Sequence, residues 1–382
     1  MRRATQRTDR SSGILMAAHR VARPMRGRPR RVLLVPDEHG RGHLARQAVL
    51  AHALLERGTE VCGTPALARV VRDRFGLPIE AFGGHPPLDL GHTLWDAFRA
   101  GDLDATMGEV REGAPARVAA WQRWLSGAGA DVVVSDADPF VLTAALWLGA
   151  RAWLVSNFTW SDFLAGWAGP EAAAWLDGLY GAAAGALELP LSTGLRGVRA
   201  SPRAAVPHLA IPDPAARARP PPGPGEPLRV LWAMSGGDPA IPRRVTGAEP
   251  FELWVAEDAA AMPTPEGPGT LRTFTGLLAS MMARVDLVAT KCGYSTTAEA
   301  IAAERPLLEL VRPRAAEDEA IAMHLRAVGV AESLTLGEAD LVTLPDRPAV
   351  AAMHDAYAAK HPSLRCEPRA VADAVLACAA RR

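Results

Sequence analysis

The sequence predicts an α/β protein built as two doubly wound parallel-sheet domains that face each other across a cleft. Three observations carry this. Short continuous apolar runs alternate with stretches of helical spacing, which is how parallel strands buried on both faces and their crossover helices read. The alternation is interrupted between 201 and 227 by nine prolines and then begins again. The 382 residues also suffice for two units at roughly 150 residues per domain.

Residues 1–30 carry nine arginines against one aspartate and contain no apolar core of secretory-signal length. They read as a basic disordered arm, or as the product of an upstream start, since Met16 and Met25 both precede the first strand. The functional alternative for the arm is contact with an anionic membrane surface or with acidic partners. The N-terminal domain spans 31–200. It opens on the apolar run Arg31 to Pro36, a buried strand, followed by a glycine loop. A helix comes next, from Leu44 to Arg57, in which Leu44, Ala48, Ala51, Leu54 and Leu55 share a face and Gly58 is the stop. Val61 lies in a short second strand, Asp131 to Ser135 forms a strong one, Val141 to Leu148 a helix, and Ala152 to Ser156 a further strand. The apolar stretch Phe140 to Trp160 has the length of a membrane span, but Gly149, Arg151 and Asn157 interrupt it, and a buried helix followed by a buried strand accounts for it.

The prolines of 201–227, three of them consecutive at 220–222, forbid helix and interior strand, so this stretch is expected to link the domains. The C-terminal domain, 228–350, repeats the pattern with strands at Leu228 to Met234, Phe251 to Ala256, Leu271 to Phe274, Val285 to Thr290 and Pro306 to Val311. In the tail, 351–382, a helix from Pro368 to Ala380 gathers Val371, Val375, Leu376 and Ala379 on one face. Such a face must be buried, and the N-terminal domain is the expected surface for it.

Basic and acidic residues number 42 each, which argues against a surface built for nucleic acid. Cys62, Cys292, Cys366 and Cys378 are scattered, with no CxxC and no histidine at ligand spacing, so neither a metal centre nor a disulfide framework is expected. The expected compartment is the cytoplasm, with no integral membrane span and with small molecules as the partners. The oligomeric state is not legible.

Tandem α/β domains bind ligands outside the carboxyl ends of their strands. Three loops lie at such ends. His39-Gly-Arg-Gly-His43 joins a strand to a helix, where glycines admit a ligand to the backbone and the helix N-terminus favours negative charge; it is neither a dinucleotide fingerprint nor a P-loop. Its bland alternative is a tight turn with solvated histidines. Ser235-Gly-Gly-Asp238 is a second such turn, able to admit a phosphate through Ser235 and Gly236 or simply to flex. The third, Thr290-Lys-Cys-Gly-Tyr-Ser-Thr-Thr-Ala-Glu299, puts Gly293 at a turn and Ser295, Thr296 and Thr297 at a helix start, with hydroxyls and unpaired amides suited to a diphosphate. Glu299, further into that helix, has the chemistry to accept hydrogen bonds from a ribose diol, although Ser/Thr followed by Glu is also ordinary capping. Asp136 and Asp138 follow a strand end, as partners for a histidine, as ligands for acceptor hydroxyls, or as helix caps. Asn157 and Trp160 sit beside them, the tryptophan as a stacking face for a sugar or as core.

The run Thr290 to Leu308 resembles the nucleotide-sugar signature in the C-terminal domain of glycosyltransferases of the two-Rossmann-domain, GT-B type. It is similar to the bacterial N-acetylglucosaminyltransferase that makes lipid II and to plant galactolipid synthases. The GT-B-like N-terminal region of plant arabinose kinases resembles the chain most, at His39 to His43, Ser135 to Pro139, Ser156 to Trp160 and Thr290 to Glu299. The resemblance covers residues 31 to about 330 in the same order.

The resemblance implies a nucleoside-diphosphate sugar, UDP- or dTDP-linked, as co-substrate, with no separate cofactor and no obligatory metal. It puts Gly40, Gly42, Asp138, Asn157 and Trp160 on the acceptor side, with His43 or His39 as base and Asp136 beside them. Gly293, Ser295, Thr296 and Thr297 then hold the diphosphate, with Ser235 and Gly236 of the second turn as further candidates, and Glu299 the ribose. Departures accompany it. Where relatives carry a Gln or Asp-Gln pair on the sugar, this chain has Arg314 to Glu319, so Glu317 and Asp318 stand nearest the sugar; Cys292 replaces a proline beside the signature glycine. The activity implied is inverting transfer to a small-molecule, specialised-metabolite or lipid-like acceptor. Alternatives are epimerisation with hydrolysis, a pseudo-glycosyl coupling, or a non-catalytic nucleotide-sugar module.

Overall fold

In the computed structural model the described residues are 31–37, 41–86, 90–198, 203–211, 222–223, 225–234, 241–259, 262–336 and 341–380. The basic arm, His39, Gly40, Ser235 and Gly236 lie outside them.

The N-terminal half runs β1 (Arg31–Pro36), α1 (Arg41–Leu55), β2 (Glu60–Gly63), α2 (Pro65–Phe75), β3 (Glu80–Ala81), α3 (Leu90–Ala100), α4 (Leu103–Ala128), β4 (Val132–Asp136), α5 (Pro139–Trp147), β5 (Arg151–Ser156), α6 (Trp160–Leu164), α7 (Pro170–Tyr180), β6 (Gly185–Glu188) and β7 (Arg203–Ala205). Its strands form a parallel sheet in the order β3-β2-β1-β4-β5-β6-β7. The apolar run at 140–160 resolves into α5, buried as far as Ala145 with Leu146 and Trp147 exposed, and β5, which is buried beyond Arg151. β7 falls within the stretch expected to be linker; it sits at the sheet edge, where nearby prolines cost no ladder hydrogen bonds.

The C-terminal half runs β8 (Leu228–Trp232), β9 (Arg244–Thr246), β10 (Phe251–Ala256), β11 (Thr264–Pro265), β12 (Gly269–Phe274), α8 (Leu278–Met282), β13 (Leu287–Lys291), α9 (Tyr294–Ala302), β14 (Leu307–Val311), α10 (Ala316–Val328), β15 (Ala331–Thr335), β16 (Leu341–Thr343), α11 (Arg347–Ala356) and α12 (Pro368–Ala380). The main sheet has the order β12-β10-β8-β13-β14-β15, and β11, β9 and β16 make a small second sheet. Among the described residues, no helix is long and apolar enough to cross a membrane.

Strand order reverses between β1 and β4 in one sheet and between β8 and β13 in the other. These are the switch points at which a doubly wound sheet opens a crevice. The halves also share a core, because one buried apolar cluster joins Leu50 and Leu54 of α1, Ala298 and Ile301 of α9, and Val371 and Val375 of α12. Around it, Arg57 pairs with Asp373 at 2.6 Å, Arg369 with Glu56 at 2.8 Å, and Arg151 donates to the Ala379 carbonyl at 3.2 Å. The apolar face of α12 thus lies against the N-terminal half.

Candidate active site

The site begins where β4 ends. Ala137 has φ of 70°, a left-handed conformation that costs a non-glycine residue roughly 1–2 kcal/mol. Its carbonyl is held by the Tyr180 hydroxyl, which donates at 2.5 Å. This turn separates two aspartates with different tasks. Asp138 caps α5, accepting from the amides of Phe140 at 2.7 Å and Val141 at 3.2 Å. Burial, aided by nearby Asp37, pushes its carboxyl up to about 7 against those amides.

Asp136 turns toward α1, where Arg46 meets it. The guanidinium Nε donates to Asp136 Oδ2 at 2.6 Å and Nη2 donates to Oδ1; Nη1 donates to Asn157 Oδ1 at 2.8 Å, and Nη2 also reaches His43 Nδ1 at 2.9 Å. His43 Nδ1 lies 3.2 Å from Asp136 Oδ1. Both partners of the ion pair are buried, Arg46 at 2% exposure and Asp136 at 0%. Burial alone would raise the Asp136 carboxyl, but the adjacent Arg46 guanidinium outweighs it and holds it down to about 2. The His43 ring packs edge-on to Phe158 and retains 12% side-chain exposure.

The C-terminal half supplies the opposing wall. Gly293 leads from β13 into α9, and the first amides of that helix have no carbonyl partner within it. Ser295 donates its hydroxyl to the Gly42 carbonyl at 2.6 Å, bringing the first turns of α9 and α1 together. The Arg46 guanidinium lies 5.2 Å over the Tyr294 ring. Asn157 donates to Glu317 Oε1 of α10 at 2.8 Å, and burial raises the Glu317 carboxyl while that hydrogen bond opposes it. The structure therefore brings His43, Asp136, Gly42, Asn157, Gly293, Ser295 and Glu317 into one region, with Thr296 half-buried on the first turn of α9.

Five sequence expectations are corrected. Thr297 points inward rather than to the cleft, donating to Glu309 Oε1 at 2.9 Å, because one helical residue past Thr296 is a rotation onto the core face. Glu299, expected on a ribose, is paired with Arg74 of α2 at 2.8 Å, and both side chains are mostly covered. Asp318 is fully buried and bound by Arg312, Nε to Oδ2 at 2.7 Å and Nη2 to Oδ1 at 2.6 Å, which withdraws it from any sugar. Asp138 is spent as the cap of α5. Trp160 is 3% exposed, donates its indole N–H to Asp37 at 3.2 Å, and packs edge-on to Phe158 and Phe163, so it offers no stacking face.

Arg46 is the residue that sequence reasoning missed. The signal was available. It lies three residues after His43, on the same helical face, and an arginine near the positive end of a helix needs a carboxylate partner elsewhere. Among the described residues, no three His, Cys, Asp or Glu side chains converge as metal ligands.

Comparison with solved structures places this architecture. The glycotransferase of kitacinnamycin superposes with a TM-score of 0.61 at 16% identity, covering 92% of this chain and 100% of that one. VinC, solved in complex with dTDP, gives 0.57 at 16% identity, with 91% and 99% covered. The glycosyltransferase SnogD from Streptomyces nogalater gives 0.56 at 16%, again with 91% and 99% covered. No family model and no curated protein matches the sequence. The chain has the GT-B fold, two Rossmann-like domains facing across a cleft, and within that class its solved neighbours are glycosyltransferases.

Proposed function

We propose that the chain is a nucleotide-sugar-dependent glycosyltransferase acting on a small-molecule, specialised-metabolite or lipid-like acceptor. The observation that carries this is the contact of Ser295 with Gly42, which sets the open end of α9 against the turn of α1 that bears His43. A base and an anion seat then lie on facing walls of one crevice. The donor is UDP- or dTDP-linked: VinC was solved with dTDP, and UGT89C1 of Arabidopsis thaliana with UDP-L-rhamnose.

In this reading His43 Nε2 takes the proton of the acceptor hydroxyl while Asp136 steadies Nδ1–H. The acceptor oxygen attacks the anomeric carbon from the face opposite the diphosphate, so one displacement inverts the centre. The leaving diphosphate collects the first amides of α9 and the Ser295 and Thr296 hydroxyls, beyond Gly293. Those oriented donors do the work of a cation, so the step needs no metal. Asn157 and Glu317 stand nearest the sugar. For the diphosphate to enter, Ser295 exchanges its bond to Gly42 for one to a phosphate oxygen.

The hold of Arg46 on Asp136 favours a second reading, a non-catalytic module that binds a nucleotide sugar, since a carboxylate already engaged by a guanidinium is less available to orient the histidine. One experiment separates the two. Thermal shift against UDP, dTDP and their sugars identifies the donor, because a ligand of the native state raises the midpoint according to its affinity. Product analysis with that donor, with and without an acceptor panel, follows. Transfer supports the enzyme, binding without turnover supports the module, and no binding at all ends both readings. Donor consumption without transfer assigns a hydrolase or epimerase.

A further inference from the structure

We infer that Arg46 decides which nitrogen of His43 carries the proton, and that with its guanidinium against Nδ1 it keeps that proton on Nε2. The inference rests on the proposed reading of His43 as the base and adds the positioning residue that governs it.

A guanidinium has five N–H donors, no acceptor, and never deprotonates in a protein. Its Nη2 lies 2.9 Å from His43 Nδ1, a hydrogen bond only if Nδ1 bears a lone pair. The other hydrogen of Nη2 is directed to Asp136 Oδ1. One nitrogen thus bridges the carboxylate and the ring. Asp136 Oδ1, 3.2 Å from Nδ1, is positioned to receive a proton from that nitrogen, yet a hydrogen on Nδ1 would face the guanidinium N–H. A neutral imidazole with a bare Nδ1 carries its hydrogen on Nε2 and there donates instead of accepting.

While Arg46 holds Nδ1, His43 cannot remove a proton from an acceptor hydroxyl through Nε2. Activation is a tautomerisation in which Nε2 loses a proton to water, Nδ1 gains one from water, and the new Nδ1–H turns to Asp136. Arg46 is placed where the donor side can reach it. Its guanidinium lies over Tyr294, the first residue of α9, and its Nη1 holds Asn157, which in turn holds Glu317 of α10. Movement of either helix is felt at His43.

The test uses the full chain labelled with 15N-histidine and no nucleotide. Two-bond 15N–1H correlation spectra at mildly alkaline pH report the tautomer, and the His43 signals are those absent from His43→Gln. The expected results are Nε2–H in the wild type, Nε2–H retained in Asp136→Asn, which leaves Arg46 in place, and Nδ1–H in Arg46→Gln. A wild-type ring with Nδ1–H or with both nitrogens protonated overturns the inference, as does an Nε2–H ring in folded Arg46→Gln or a switch to Nδ1–H in Asp136→Asn. Should Arg46→Gln lose its cooperative unfolding, the wild type and Asp136→Asn decide. No donor or acceptor is present, so the outcome is independent of whether the chain transfers a sugar.

Discussion

The hydroxyl of Ser295 donates to the carbonyl of Gly42 at 2.6 Å across 253 positions of sequence. Two helix N-termini, one from each half, meet there. Neighbouring positive ends repel in the absence of an anion, and a bound diphosphate would relieve both.

Ser295→Ala removes this hydrogen bond and one candidate phosphate ligand. Unfolding free energy should fall by about 0.5–1.5 kcal/mol in chemical denaturation, and calorimetric affinity for UDP or dTDP by a similar energy. Unchanged nucleotide affinity with lowered stability would make the contact purely structural.

His43→Ala should lower transfer or donor hydrolysis by ~10²–10⁴-fold and leave nucleotide binding intact. Turnover at the wild-type level would move the base elsewhere, with His39 or Asp136 the next candidates.

Arg74→Ala strands the carboxylate of Glu299 in a largely covered position. A loss of about 1–3 kcal/mol is expected, partly recovered by adding Glu299→Gln, which no longer needs a cation. Nucleotide affinity should stay within about twofold, since the change lies below one factor of RT. A strong loss of affinity in Glu299→Gln with unchanged stability would return the ribose role to that residue.

Glu309 is buried on β14 beneath Thr297, and burial pushes its carboxyl up to about 8 against the hydrogen bond from Thr297. A folded value raised above the unfolded one contributes stability that is complete below the ordinary carboxylate range and is lost as pH rises through 8. Glu309→Gln keeps an acceptor for Thr297 and cannot ionise. Its Tm should match the wild type at acidic pH and exceed it above pH 8; parallel curves would show that Glu309 is not held neutral.

Much of the fold was legible because its signals are local. Phe251 to Ala256 and Pro368 to Ala380 were expected at the bounds they occupy. Arg31 to Pro36 was as well, the other expected strands shift by a residue or two, as element ends do, and β3, β6, β9, β11, β15 and β16 were not anticipated. The edge strand β7 was hidden, since its three residues carry no alternation and its prolines argue for a linker. In the site, His43, Asp136 and Ser295 were singled out from glycine turns, strand ends and helix starts, features set by neighbours in the chain. Thr297, Glu299 and Asp318 were placed by residue type, spacing and family resemblance, and none of these could pair them with their partners Glu309, Arg74 and Arg312.

The amino-acid order alone was sufficient for two α/β units and a helix after Gly293 with an open amide end, since backbone geometry and apolar periodicity act over a few residues. Folding in three dimensions settled which polar groups are consumed as structure and which stay free for a ligand. Arg46 shows why: its grip on Asp136, ninety positions away, depends on β1 and β4 lying side by side, and a buried charge takes whatever partner the packing brings within reach.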